Sequence, residues 1–364
     1  MHKNVKRSSA ILLIVFMFVS FVGCGAPAGS NPTQEPTPLI TESPTVDPTV
    51  EPSATTEATT EAPTGTPTQA PTKEPTKAPT VVPTVEPTKA PLIKEGMLTP
   101  GKAHVILMMG QSNMVGRAQN RFLEQTASAK ELAEYKAGYE NVLIYYHIDH
   151  RNGDPTNIAS DFVPVTIGQG STSVQFGPEV GLAEYLTKAF PGEKFYLIKC
   201  AWSGSGIANN YTAGNWLYQE VLARTNIGIN KLKKAGLDPE IFAFCWMQGE
   251  TDAMDKAQAD AYLTNMTDLF NRWLPLYKKY AAPNGIAFID AGISDQWANY
   301  KVVNAHKVTY QTQGTNRYYI DTLANGLTTL YENNDRSHYD SQSKIKLGRL
   351  YGQMIEKYLK GQQQ

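Results

Sequence analysis

Two short segments carry residue types able to do chemistry together. Gly110-Gln111-Ser112-Asn113-Met114-Val115-Gly116 sets a serine on a glycine-flanked turn directly after an apolar run. Asp335-Arg336-Ser337-His338 places an aspartate and a histidine on one polar loop before the last helical stretch. A serine hydroxyl becomes a nucleophile when a histidine takes its proton, and a carboxylate orients that histidine and stabilises its imidazolium. Ser112, His338 and Asp335 are therefore the parts of an acyl-transfer triad. Taken alone, Ser112 equally suits the N-cap of the helix that follows it. His104 falls inside an apolar run and His306 in a polar stretch, where structural roles are the expectation.

These residues need a scaffold that presents strand ends. Apolar runs at Ala103 to Met109, Lys194 to Ala201, Ile241 to Met247, Ile286 to Ala291 and Tyr318 to Leu323 read as five strands, with a weaker sixth at Val142 to Ile148. Helical patterns fall between them at Pro178 to Phe190, Trp216 to Ala235 and Ala257 to Tyr280, and Ser343 to Leu359 closes the chain. That alternation predicts an α/β fold with a mainly parallel sheet covered by helices on both faces. Ligands of such sheets collect at the carboxyl ends of the strands, where both polar segments lie. Met114 stands where the second glycine of a Gly-x-Ser-x-Gly elbow belongs, which argues against the α/β-hydrolase fold.

Two further blocks follow strands. Lys199-Cys200-Ala201-Trp202-Ser203-Gly204 ends the second run, and Trp246-Met247-Gln248-Gly249-Glu250-Thr251-Asp252 leaves the third. With the serine turn and the Asp-x-x-His pair, these blocks resemble the SGNH, or GDSL-like, hydrolase superfamily. Within it they are similar to the sialate O-acetylesterase-like branch that includes acetylxylan esterases of carbohydrate esterase family 6. Phe176-Gly177-Pro178-Glu179 also resembles a family segment, one leading into a helix at the pocket. The likeness spans residues from about 103 to 360. Met247 replaces the polar residue common before the glutamine, and Ser203 replaces the first of two adjacent glycines.

The resemblance implies a three-layer α/β/α sandwich around a mainly parallel five-stranded, flavodoxin-like sheet. It implies Ser112 as nucleophile, His338 as base and Asp335 as its orienting acid. It assigns the oxyanion hole to the Ser112 and Gly204 amides and the Gln248 side chain, with Gln111, Asn113, Glu250 and Asp252 as support. The chemistry suits the residue types, since glycine admits a close backbone N–H and an amide side chain donates without adding charge. No cofactor and no metal are called for. His147-Ile148-Asp149-His150 contains metal-ligand types, but no distant fourth ligand accompanies it. Cys200 and Cys245 end consecutive strong strands and read as sheet neighbours, either two buried thiols or a disulfide. Glu250 and Asp252 without a geometry are only weak support for glycosidase chemistry.

Composition divides the chain. Of 23 prolines, 16 lie in the first 100 residues, so a linker precedes the folding body. Lys3, Lys6 and Arg7 lead an apolar run from Ala10 to Val22, too short to span a bilayer, that ends in Phe21-Val22-Gly23-Cys24. That ending resembles a bacterial lipobox, which implies lipidation of Cys24. Residues 1–24 are thus a lipoprotein signal, 25–95 a disordered Pro/Thr-rich tether with prolines every fourth residue from Pro63 to Pro91, and 96–364 one esterase domain. The expected location is the bacterial cell surface, extracytoplasmic and lipid-anchored. The net charge of −1 gives no basic stripe for nucleic acid. The expected reaction is hydrolysis of acetyl esters on an extracellular polysaccharide such as acetylated xylan, with sialic acid and other acetylated glycans open. The rivals are a general esterase or lipase of the superfamily preferring longer acyl chains, and a catalytically inactive carbohydrate-binding surface protein.

Overall fold

The computed structural model describes residues 93–148, 158–329 and 334–362. The leader, Cys24 and nearly all of the tether lie outside the described residues, as do Asp149 and His150. The strands are β1 Ala103–Gly110, β2 Ala118–Gln119, β3 Tyr139–Ile148, β4 Val163–Val165, β5 Gln175–Phe176, β6 Phe195–Ala201, β7 Pro239–Met247, β8 Ala287–Ala291 and β9 Arg317–Ile320. The helices are α1 Ser112–Val115, α2 Asn120–Thr126, α3 Ala129–Ala137, α4 Glu179–Ala189, α5 Ile207–Asn210, α6 Trp216–Lys234, α7 Lys256–Asp260, α8 Tyr262–Leu276, α9 Tyr300–Thr312 and α10 Ser341–Leu359.

Every residue of β1, β6, β7 and β8 is buried, so these strands are covered on both faces, as parallel sheets must be. β1 is central, with β6 on one side and β7 on the other, both parallel to it. The full order is β4-β3-β6-β1-β7-β8-β9, in which β4 alone runs antiparallel at the edge beside β3. The sheet therefore has seven strands rather than five. The weak run at 142–148 is the ten-residue β3, and three-residue β4 is too short, with Pro164 at its centre, to leave a pattern. β2 and β5 pair separately.

Cys200 and Cys245 are both free and buried, but they are not neighbours. Met109 of β1 pairs with Cys200 and Met108 with Cys245, so β1 lies between them. Two strand spacings, roughly 10 Å, exceed disulfide reach. Burial pushes both thiols above their ordinary pKa.

α6, α8 and α9 cover one face. Trp273 and Phe270 of α8 pack edge-on against Trp246 and Phe244 of β7. The expected helix from 257 to 280 divides into α7 and α8 at Ala261, and Pro275 in the last turn of α8 precedes a 3-10 turn at Lys278–Tyr280. α9 shows no clear apolar stripe in sequence because its buried side chains are Val303, Lys307 and Tyr310, a lysine standing at the middle of the buried face.

α4 and α10 cover the other face and touch backbone to backbone. A Cβ on Gly348 would lie 2.1 Å from the Pro178 carbonyl oxygen, and one on Gly181 would lie 2.0 Å from that of Ile345. Neither wall can retreat, because each is main chain. Gly348→Ala is expected to cost about 1–3 kcal/mol by overpacking, read as a lower urea midpoint at constant m-value. An unchanged midpoint would mean that the two helices do not approach this closely.

Candidate active site

The nucleophile turn begins where β1 ends. Gly110 has φ 146°, and a Cβ there would fall 2.0 Å from the Met247 carbonyl oxygen, so only glycine fits. That same oxygen accepts from the Gln111 N–H at 2.8 Å, which holds the turn against the end of β7. Gln111 takes the N-cap position of α1 and Ser112 is its first residue. The Ser112 N–H therefore has no acceptor within the helix. The capping role that a serine could have filled is not used.

His338 and Asp335 are joined on their loop. His338 Nδ1 lies 2.6 Å from Asp335 Oδ2, and the Ser337 N–H donates to Asp335 Oδ1 at 2.9 Å. A carboxylate at Nδ1 assigns the proton to that nitrogen and leaves Nε2 as the basic atom. Burial raises the Asp335 carboxyl, but the hydrogen bond and charge of His338 and the N–H groups of Ser337 and His338 outweigh it and hold the group below its ordinary pKa. Ser112 and His338 line one pocket of about 390 Å³ with Gln111, Arg117, Ser203 and Gly204.

A buried amide fixes the two loops to each other. Asn113, beside the nucleophile and fully buried, donates from Nδ2 to Glu250 Oε1 at 2.7 Å and to the Ser337 carbonyl at 3.4 Å. Its Oδ1 accepts from the Tyr339 N–H at 3.0 Å and from Lys344 Nζ at 2.7 Å. One side chain thus grips both neighbours of His338. Lys344 also donates to the Asn113 carbonyl at 2.9 Å. Burial brings Lys344 down to about 7, opposed chiefly by the nearby Glu250 carboxylate.

Gln248 does not reach the pocket. It is fully buried, and its Nε2 donates to Asp252 Oδ2 at 2.6 Å, to the Ser205 carbonyl at 2.9 Å and to Gln111 Oε1 at 3.2 Å. Two hydrogens facing three acceptors leave nothing for a developing oxyanion. Gln111 is the amide at the pocket wall. Its Oε1 accepts from Gln248 Nε2 and from the Thr251 backbone N–H at 3.3 Å, and a backbone donor there fixes which end is oxygen. Among the described residues Gln111 Nε2 and the Gly204 N–H have no acceptor. Asp252 also accepts from the Ile207 and Ala208 amides, and burial pushes its carboxyl pKa up against those bonds.

Residues 102–357 match the family model described as carbohydrate esterase, sialic acid-specific acetylesterase. The chain belongs to that family. Its activity is accordingly that of a carboxylic-ester hydrolase acting on carbohydrate esters. Solved structures sharing the fold of this esterase include a protein from Arabidopsis thaliana, 21% identical, TM-score 0.52, covering 69% of this chain and 97% of that one. NanS is 16% identical, TM-score 0.50, covering 72% and 99%. A catalytic mutant of Axe2, an acetylxylan esterase from Geobacillus stearothermophilus, is 16% identical with a TM-score of 0.34, covering 60% and 95%. Among curated proteins no sequence matches this chain.

Three cations in and around the esterase site have roles that only the structure reveals. Lys344 looks like a solvent-facing lysine of a terminal helix, and only its burial reveals its role. Lys199 of β6 pairs with Glu179 of α4 at 2.8 Å, both fully buried, so the Phe176-Gly177-Pro178-Glu179 segment anchors α4 rather than lining the pocket. Arg117 reaches the pocket half-buried, with Nη2 on Ser203 Oγ at 3.3 Å and a buried Nε that has no partner. Among the described residues no carboxylate pairs with it.

Asp335→Asn is expected to lower kcat by up to about 10⁴-fold with the fold intact, because it puts the proton on the wrong imidazole nitrogen. Asn113→Ala is expected to lower kcat on the order of 10²-fold through loss of alignment, with KM changed far less. A variant that loses only thermal stability would show the Asn113 clamp to be structural alone.

Proposed function

We propose that the esterase removes acetyl groups from an extracellular polysaccharide through an acetyl-enzyme on Ser112. The observation that carries this reading is the shared pocket of Ser112 and His338, with His338 Nδ1 held by Asp335 at 2.6 Å. Ser112 Oγ attacks the ester carbonyl carbon as its proton passes to His338 Nε2. The tetrahedral oxyanion accepts from the Ser112 and Gly204 backbone amides and from Gln111 Nε2, while Gln248 and Asp252 brace Gln111 from behind. Collapse breaks the bond to the sugar oxygen, which leaves with the proton held by His338. Water then attacks the acetyl-serine by the same route, releasing acetate. None of these steps calls for a metal or an organic cofactor.

Acetylated xylan is the substrate favoured by the surface address that the leader, the Cys24 lipobox and the tether support. In this reading Cys24 carries the lipid and residues 25–95 hold the domain away from the membrane. A second reading has a specific observation behind it. An Arg117 guanidinium in the pocket, without a carboxylate partner among the described residues, suits an acidic sugar, whose carboxylate it could hold.

The test is acetate release by the full-length chain from acetylated xylan and from O-acetylated sialic acid, alongside 4-nitrophenyl acetate and a longer-chain ester. Ser112→Ala abolishes turnover on all of them if the reading is right. Gln111→Ala is expected to lower kcat by about 10²–10³-fold, the usual worth of one oxyanion donor. Preference for the longer ester would favour a general lipase, and no turnover on any ester would favour a binding protein. An undiminished Gln111→Ala would return the third donor to Gln248.

A further inference from the structure

Next in the chain to two pocket residues, and outside the pocket lining itself, stands an aromatic pair that the hydrolytic steps do not use. Trp202 follows the end of β6 and directly precedes Ser203 and Gly204, which line the pocket. Its indole stands edge to face with Trp216 of α6, ring centroids 5.0 Å apart at 81°. Trp202 is half-buried, whereas Trp216 is 51% exposed. The His147 ring, one residue before the end of β3, lies 6.2 Å from that of Trp202. Glu220 of α6 accepts from Arg224 at 2.7 Å and lies 3.3 Å from His147 Nε2. Trp246 and Trp273 are fully buried in the core, whereas Trp216 is left open to water beside Trp202.

The register fixes where this pair lies. Gly110, Ala201 and Ile148 are in line across β1, β6 and β3. The strands that carry Trp202 and His147 therefore lie one and two spacings from β1, roughly 5–10 Å along the carboxyl edge, and Trp216 meets Trp202 from α6. That distance is the span of one or two sugar rings. An indole offers a flat apolar face for the C–H side of a pyranose. Carboxylate, imidazole and guanidinium groups at its border supply both acceptors and donors for hydroxyls.

We propose that Trp202 and Trp216 form a distal sugar subsite, so that the substrate is an oligosaccharide chain whose neighbouring units lie over the indoles while one acetyl ester sits at Ser112. This rests on the carbohydrate-acetylesterase reading and adds chain length to it. Trp202 is the positioned inner wall, and Trp216 is the open face that gains contact only when a further unit is present.

The full-length chain should be assayed on acetylated xylo-oligosaccharides of increasing length. The expected result is a kcat/KM that rises about three- to tenfold from monosaccharide to longer oligomers, the worth of one stacking contact, mostly through KM. Trp216→Ala removes that rise and Trp216→Phe keeps part of it. Unacetylated oligomers are expected to change tryptophan fluorescence in the parent chain and less in Trp216→Ala. A kcat/KM independent of length, or a rise that survives Trp216→Ala, overturns the subsite. Ser112-dependent turnover of 4-nitrophenyl acetate in the same preparation would then show that the esterase reading stands while the subsite falls, and its absence would show that the esterase reading itself has failed.

Discussion

The site depends on one buried amide. Asn113 sits where three pieces of chain meet: the turn after β1, the turn after β7 that carries Glu250, and the loop that carries His338. It belongs to the first, and its amide meets acceptors and donors from the other two, together with Lys344 of α10. An unpaired polar group at such depth costs on the order of 1–3 kcal/mol and a lone charge far more. The network is therefore formed as a whole or leaves buried groups unsatisfied. Forming it brings residues more than two hundred positions apart to one pocket, because the residue beside Ser112 holds both residues beside His338.

The same device recurs around the sheet. Lys199 of β6 is tied to Glu179 of α4, Lys307 of α9 to Asp290 of β8 at 2.6 Å, and Lys344 of α10 to the start of α1. Each lysine is buried and ties a helix to the sheet or to the nucleophile turn. Burial pulls Lys199 and Lys344 below their ordinary pKa and pushes Asp290 up to about 6, which shows that desolvation is only partly offset. Such pairs are poor sources of net stability compared with apolar packing. What they supply here is register: a helix slipped by one residue would bury a charge without its partner. The apolar core holds the layers together, and the buried lysines fix where the helices start relative to the strand ends.

The sequence was most informative where the pattern is local. Continuous apolar runs mark β1, β6, β7 and β8 because those strands are buried on both faces, and the glycines around Ser112 mark its turn. The edge was less legible, since β3 mixes Glu140 and Asn141 with its apolar residues and β4 is only three residues long. α9 was hidden by Lys307, which reads as a surface residue until its carboxylate partner is placed. In the site, the serine turn and the Asp-x-x-His loop could be read directly, whereas the division of labour between Gln111 and Gln248 could not. Both are glutamines in motif positions, and only the hydrogen bonds separate the one facing the pocket from the one behind it. Cys200 and Cys245 end strands that are consecutive among the strong apolar runs yet lie apart in the sheet, because strand order differs from chain order and β1 runs between β6 and β7.

The most direct test of the central claim, that these loops assemble one serine acyl-transfer site, is covalent trapping with an alkyl fluorophosphonate followed by intact-mass measurement and peptide mapping of the full-length chain. The account predicts one adduct per chain, located on Ser112, and slowed when His338 is replaced. An adduct on another residue, or none under conditions that label other serine esterases, would contradict it.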